Sequence, residues 1–114
     1  MEVSRGEVWW VDLAEPVGSQ PGFRLPCVIV QADALNQSRI RTVVVVPLIS
    51  NLQWASAPGN LELSTEETGL PRDSVANVSQ IVTVDKSQCV ERVGRLPSAK
   101  IAAVLGGIDV ILGR

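Results

Sequence analysis

A small, strongly bent β-sheet or barrel with one helix at its C-terminal end is what this sequence predicts. Three observations carry that reading. Short runs rich in Val, Ile and Trp recur as far as Leu96, separated by Gly- and Pro-containing punctuation. Apolar residues at helical spacing appear after Pro97. The chain has 114 residues, 46% hydrophobic and 19% charged, which suits one packed domain and not a disordered chain. Roughly five to seven short strands with a single helix to cover them fit a mostly β (α+β) sheet that curls on itself.

The first strand is expected over Glu7–Leu13, imperfect in alternation but rich in Val and Trp. Ala14–Phe23 holds Pro16, Gly18, Pro21 and Gly22, the composition of a long loop. Leu25–Gln31 reads as the second strand, with Pro26 near its start, where a missing N–H is tolerable. Asp33–Ser38 reads as a short helical turn or loop. Ile40–Leu48 contains four consecutive valines at 43–46 and is expected to be buried on both faces. Ser50–Gly59 is a second long loop. Asn60–Ser64 alternates, placing Leu61 and Leu63 on one face. Thr65–Asp73 reads as a turn, and Ser74–Val84 as one or two strands. A turn at Asp85–Gln88 precedes the last strand, Glu91–Leu96. In the tail, Ile101, Val104, Leu105, Ile108, Ile111 and Leu112 form a helical stripe. Pro97 marks the break before it, and Ser98 is the expected N-cap. Gly106-Gly107 costs about 1 kcal/mol per Gly against Ala inside a helix, which implies either a kink or another backbone packed closely there.

Composition narrows the function. No apolar run reaches the roughly 18–20 residues of a membrane span, and the start of the chain lacks a signal peptide's apolar stretch. A cytoplasmic protein without membrane contact is expected. Cys27 and Cys89 are too few for a disulfide framework and read as small buried thiols. The sequence has no His, so the usual zinc sites are unavailable, and no cofactor or metal is expected. Net charge is −2, which gives little long-range attraction to nucleic acid. Eight of the ten cations are nevertheless Arg, whose planar fork suits a local phosphate site as well as ordinary surface ion pairs.

Arg5-Gly6-Glu7-Val8-Trp9-Trp10-Val11-Asp12-Leu13 resembles the opening strand of the MazF/PemK toxin ribonucleases. The resemblance continues through Gly18-Ser19-Gln20-Pro21-Gly22, Arg24-Leu25-Pro26, Val28-Ile29-Val30-Gln31 and Asn36. It resumes at 45–51, at Leu70-Pro71-Arg72-Asp73-Ser74-Val75, at Gln80-Ile81-Val82-Thr83-Val84-Asp85 and at Arg92-Val93-Gly94. It thus covers nearly the whole chain in order. The resemblance implies an SH3-like β-barrel of the CcdB/PemK type with a C-terminal helix packed on it, and a homodimer. It also implies metal-independent cleavage of single-stranded RNA, neutralised by a cognate MazE-like antitoxin with a disordered acidic tail. The implied chemistry is in-line attack of a ribose 2′-OH on the adjacent phosphate.

Two positions depart from the family pattern. Relatives usually carry Arg directly before the Pro of the second strand and Thr near the end of the third; here these positions hold Leu25 and Ile49. Arg24 and Ser50, one residue away in each case, are the candidate catalytic pair. Either they substitute from neighbouring positions, or the site is slow, inactive or altered in substrate, since adjacent strand residues face opposite ways. Arg72 and Arg41 are the next candidates. Candidate RNA contacts are Gly18, Ser19, Gln20 (where many relatives carry Glu) and Phe23 in the first loop, with Asn51, Asn77, Ser79 and Gln80; ordinary turn chemistry also accounts for the polar members. One of Trp9 and Trp10 is expected in the core and the other at a dimer or antitoxin surface in preference to base stacking, and Trp54 reads as an antitoxin or RNA contact. A gyrase-binding toxin of the CcdB type is the rival, but it depends on a Trp near its C-terminus, and 108–114 has none. A purely regulatory, operator-binding protein fits poorly with the net charge of −2.

Overall fold

Strand alternation splits the apolar residues of this chain between the two faces of one sheet. The structure is a computed structural model that describes residues 2–13, 18 and 23–114. Strands β1 (Glu7–Asp12), β2 (Arg24–Ile29) and β3 (Thr42–Ile49) pair antiparallel, with Val8 opposite Val28 and Val28 opposite Val46. These three valines face one core, together with Val30, Leu48, Leu63, Ala76, Val78 and Leu96. The intervening residues Trp9, Val11, Cys27, Ile29, Val43 and Val45 face a second core, closed by Val3, Val84 and Cys89. The valine run at 43–46 is therefore divided between both faces, as a strand buried on both sides requires.

The remaining strands are β4 (Leu61–Leu63), β5 (Ser74–Ala76), β6 (Val82–Asp85) and β7 (Cys89–Arg95). The hydrogen-bonded order is β4-β5-β3-β2-β1-β7, with β6 also on β3. One edge of β3 thus carries two partners in succession: β6 along Thr42–Val45, then β5 at Leu48–Ile49. Pro47 falls at the changeover, where its missing N–H interrupts no ladder, and its carbonyl accepts from Asn77 N–H at 3.0 Å. The chain turns there through a short 3₁₀ segment, Val78–Gln80, and the sheet curls into a half-barrel.

Besides α1 (Asp33–Asn36), a second short helix, α2 (Thr65–Thr68), occupies part of the span expected as a turn. Its cause is local. The Ser64 hydroxyl accepts from Glu67 N–H while the Glu67 carboxylate accepts from Ser64 N–H, and Gly69 ends the helix at φ 83°. The last helix, α3 (Ser98–Ile111), corrects the expected cap: Pro97 holds the N-cap position, and its carbonyl accepts from Lys100 and Ile101. Ser98 is the first helical residue. Val104 of α3 is buried in the first core, with Ile101, Leu105, Ile108 and Ile111 packed at its edge. Of the glycine pair, Gly106 is open, whereas a Cβ on Gly107 would collide with the carbonyl oxygen of Gly59. Close backbone packing, at the second glycine alone, is what the pair provides.

Candidate functional site

Where β2 begins and β3 ends, the curl of the sheet leaves a groove of about 510 Å³. Its lining includes Arg24, Ser50, Asn51, Trp10, Trp54 and Arg72. Arg24 is the first residue of β2, and Ser50 directly follows β3. Neither is held in the middle of a ladder, so the backbone at both positions is freer than strict alternation would allow. Leu25 and Ile49 line the same groove and are half-buried.

Arg24 faces Asp12 across the β1–β2 ladder, and its Nε donates to Asp12 Oδ1 at 2.8 Å. That hydrogen bond and the carboxylate charge raise the guanidinium's pKa further, with a smaller contribution from Glu91. Asp12 is itself fixed through its carbonyl, which accepts from Gln88 Nε2 at 2.7 Å. Arg72 enters from the turn between α2 and β5 and is exposed. Among the described residues it has no ion-pair partner. Arg41 precedes the other end of β3, roughly 30 Å from Ser50 at the ordinary strand rise. It does not reach the groove.

The two adjacent indoles part company by alternation. Trp9 is buried, its Nε1 donating to Glu7 Oε1 at 3.0 Å, while Trp10 is half-buried and lines the groove. Trp54 lies in the 3₁₀ segment Leu52–Ser56 on the groove's rim. Asn51 caps that segment, its Oδ1 accepting from Gln53 N–H, and it also faces the groove.

Of the other candidate contacts, those among the described residues do not line the groove. Asn77 is 8% exposed, and its Oδ1 accepts from Asn60 Nδ2 and from the Ser79 hydroxyl, so it serves to anchor the Trp54 loop. Ser79 and Gln80 belong to the 3₁₀ segment beyond β5 and are not in the lining. Phe23 is exposed at φ 60° beside Arg24, outside the lining. Gly18 is exposed at φ 61°, and Ser19 and Gln20 lie outside the described residues. The sequence alone marks Trp54 and Arg72 only as secondary candidates and gives Trp10 no site role. Their signal was the mixed aromatic and Arg content of three separate segments, which only the curl assembles. Among the described residues there is no group of three or more His, Cys, Asp or Glu side chains placed to hold a metal ion.

This arrangement can bind a phosphodiester through guanidiniums and a hydroxyl, and planar groups through indole faces. Comparison with known proteins gives it a context. The family described as "PemK-like, MazF-like toxin of type II toxin-antitoxin system" matches residues 4–112. Endoribonuclease MazF6 of Mycobacterium tuberculosis is 43% identical over 112 residues, 98% of each chain. Endoribonuclease EndoA of Bacillus subtilis is 33% identical over 98% of this chain and 96% of its own. In three dimensions, MazF from Deinococcus radiodurans superposes with a TM-score of 0.82 at 20% identity, covering 100% of this chain and 99% of that one. A mycobacterial endoribonuclease in complex with its cognate antitoxin gives 0.73 at 22% identity, covering 98% and 94%.

Proposed function

The chain belongs to the PemK-like and MazF-like toxins of type II toxin–antitoxin systems, and on that premise we propose that it is an endoribonuclease cutting single-stranded RNA in the groove between β2 and β3. The observation that supports this for the chain itself is that Trp10, Arg24, Ser50, Trp54 and Arg72, from four separate segments, line one groove.

The proposed reaction forms a bond from a ribose 2′ oxygen to the adjacent phosphorus and breaks the bond from phosphorus to the 5′ oxygen. It leaves a 2′,3′-cyclic phosphate and a 5′-OH that has gained a proton. The transition state carries extra negative charge on its equatorial oxygens, so fixed cations and donors aimed there lower the barrier. Arg24 and Arg72 supply cations that remain protonated, and Ser50 supplies a neutral donor. Without His the chain has no imidazole to share the proton, and Arg is a poor general base. Charge stabilisation therefore carries most of the rate. The nucleophile belongs to the substrate, so no metal-bound water is required.

A cognate antitoxin is the proposed protein partner, as in the mycobacterial complex, and a homodimer is the proposed assembly. Sedimentation at low micromolar concentration should give about twice the 12.2 kDa chain mass. To test the activity, a long single-stranded RNA is incubated with the protein and the new 5′ ends are mapped. Cuts at a recurring short sequence bearing 5′-OH ends are expected. An RNA left intact at stoichiometric enzyme would overturn the proposal.

A further inference from the structure

We propose that Trp54 is a stacking platform for one unstacked nucleobase beside the phosphate that is cut; this rests on the ribonuclease reading above. Trp54 is 53% exposed, and it lines a groove shared with Ser50, Arg24 and Arg72.

The loop beneath it is fastened at several points. The Trp54 carbonyl accepts both Ala57 N–H at 3.1 Å and Asn60 Nδ2 at 2.9 Å. Asn60 Oδ1 accepts from Val78 N–H at 3.0 Å, and Asn60 Nδ2 also reaches Asn77 Oδ1 at 3.2 Å. Asn77 N–H is tied in turn to the carbonyl of Pro47 in β3. Gly59 lies so close to Gly107 of α3 that a Cβ on it would stand 2.6 Å from the Gly107 oxygen. The indole is thus presented on a scaffold anchored to both the sheet and the terminal helix. A planar ligand that stacks on it need not order the loop first.

The occupant follows from the company Trp54 keeps. The guanidiniums of Arg24 and Arg72 suit phosphates, and every base that follows a phosphate past Ser50 has a π-face to offer. A groove of about 510 Å³ falls within the roughly 300–1,000 Å³ of small-ligand clefts, a scale suited to a flipped-out nucleotide and not to a duplex. An antitoxin peptide is the competing occupant, and the test separates the two.

The probe is a single-stranded RNA of about a dozen nucleotides spanning the mapped cut, with a 2′-deoxy sugar there so that it stays whole. Dissociation constants are measured for wild type, Trp54→Ala and Trp54→Phe, on this RNA and on versions with each base removed in turn. Trp54→Ala should weaken binding roughly five- to 150-fold, the range for loss of one stack, and Trp54→Phe much less. One abasic position should weaken wild type comparably yet leave Trp54→Ala unchanged, a coupling that general loosening of the loop would not produce. Unchanged RNA binding by Trp54→Ala, or additive effects at every abasic position, overturns the proposal. So does a loss confined to antitoxin binding. A wild-type protein that neither binds nor cuts RNA overturns instead the ribonuclease reading beneath it.

Discussion

Replacing Gly106 and Gly107 by Ala, one at a time, should shift stability in opposite directions although the two residues are neighbours in one helix. Intrinsic propensity favours Ala over Gly by about 1 kcal/mol at either position. At Gly106 nothing lies within 4 Å of an added Cβ, so that gain stands and the melting temperature should rise by a few degrees. At Gly107 the added carbon would meet the Gly59 carbonyl oxygen, with the Gly59 carbonyl carbon at 3.1 Å and Val78 Cγ1 at 3.3 Å. Backbone cannot step aside by changing rotamer, so overpacking belongs at the upper end of its range, about 3 kcal/mol. Less the propensity gain, the net loss is about 2 kcal/mol, or roughly 8 °C for a chain of this size. Thermal and urea unfolding of both variants measure it. Because Gly59 belongs to the loop carrying Trp54, Gly107→Ala should also weaken RNA binding, and Gly106→Ala should not. Equal stabilisation by the two substitutions would refute the helix–loop contact.

Further outcomes bear on the site and the core. Arg24→Ala should slow single-turnover RNA cleavage roughly a hundredfold or more, with much less effect on RNA binding. The opposing reading expects a slow wild type, no effect of Arg24→Ala, and activity gained in the Leu25→Arg, Ile49→Thr double variant. If wild type cuts well and Arg24→Ala retains its rate, Arg72 becomes the acting cation, since Arg41 lies at the wrong end of β3. Acid should destabilise the fold. Burial pushes Glu7 up, but the Trp9 indole N–H, Ser4 N–H and Arg92 together bring it below its ordinary 4.5, and Arg5 N–H with Asn36 depresses Asp33 below 3.8. Lowered folded pKa values stabilise the fold above the unfolded ones and cease to as pH falls through them. The melting temperature should therefore hold down to roughly pH 5 and then decline, less steeply in Glu7→Gln; a flat profile to about pH 3 would contradict this. Burial pushes the Cys27 thiol up to about 12 and Cys89 to about 11. A thiol reagent near pH 8 should label neither until the protein unfolds, and rapid labelling of the folded protein would place them wrongly.

The parts of the fold that depend on period were readable in the sequence. The valines at 43–46, the pair Leu61 and Leu63, and Ile101, Val104, Leu105, Ile108 and Ile111 of α3 each sit where alternation or helical spacing puts them, whereas Leu112 follows the helix and is exposed. Ser64 and Glu67 spell the cap of α2, but with Gly69 and Pro71 close by its four residues read as a turn. The site was only partly legible. Arg24, Ser50 and Asn51 could be named from their neighbours in sequence, but Asn77 is polar for an internal reason, to hold Asn60, which no local pattern distinguishes from a ligand contact. Trp10 and Arg72 meet in the groove only because β3 exchanges partners at Pro47 and the sheet curls, a tertiary event without a sequence period.

The most direct test of the ribonuclease account uses two RNAs of identical sequence around the mapped cut, one all-ribose and one with a single 2′-deoxy sugar at the scissile position, both in EDTA. The account predicts that the first is cut to a 2′,3′-cyclic phosphate and a 5′-OH end while the second remains whole. Cleavage of the 2′-deoxy strand, or cleavage of the all-ribose strand only when magnesium is restored, would contradict it.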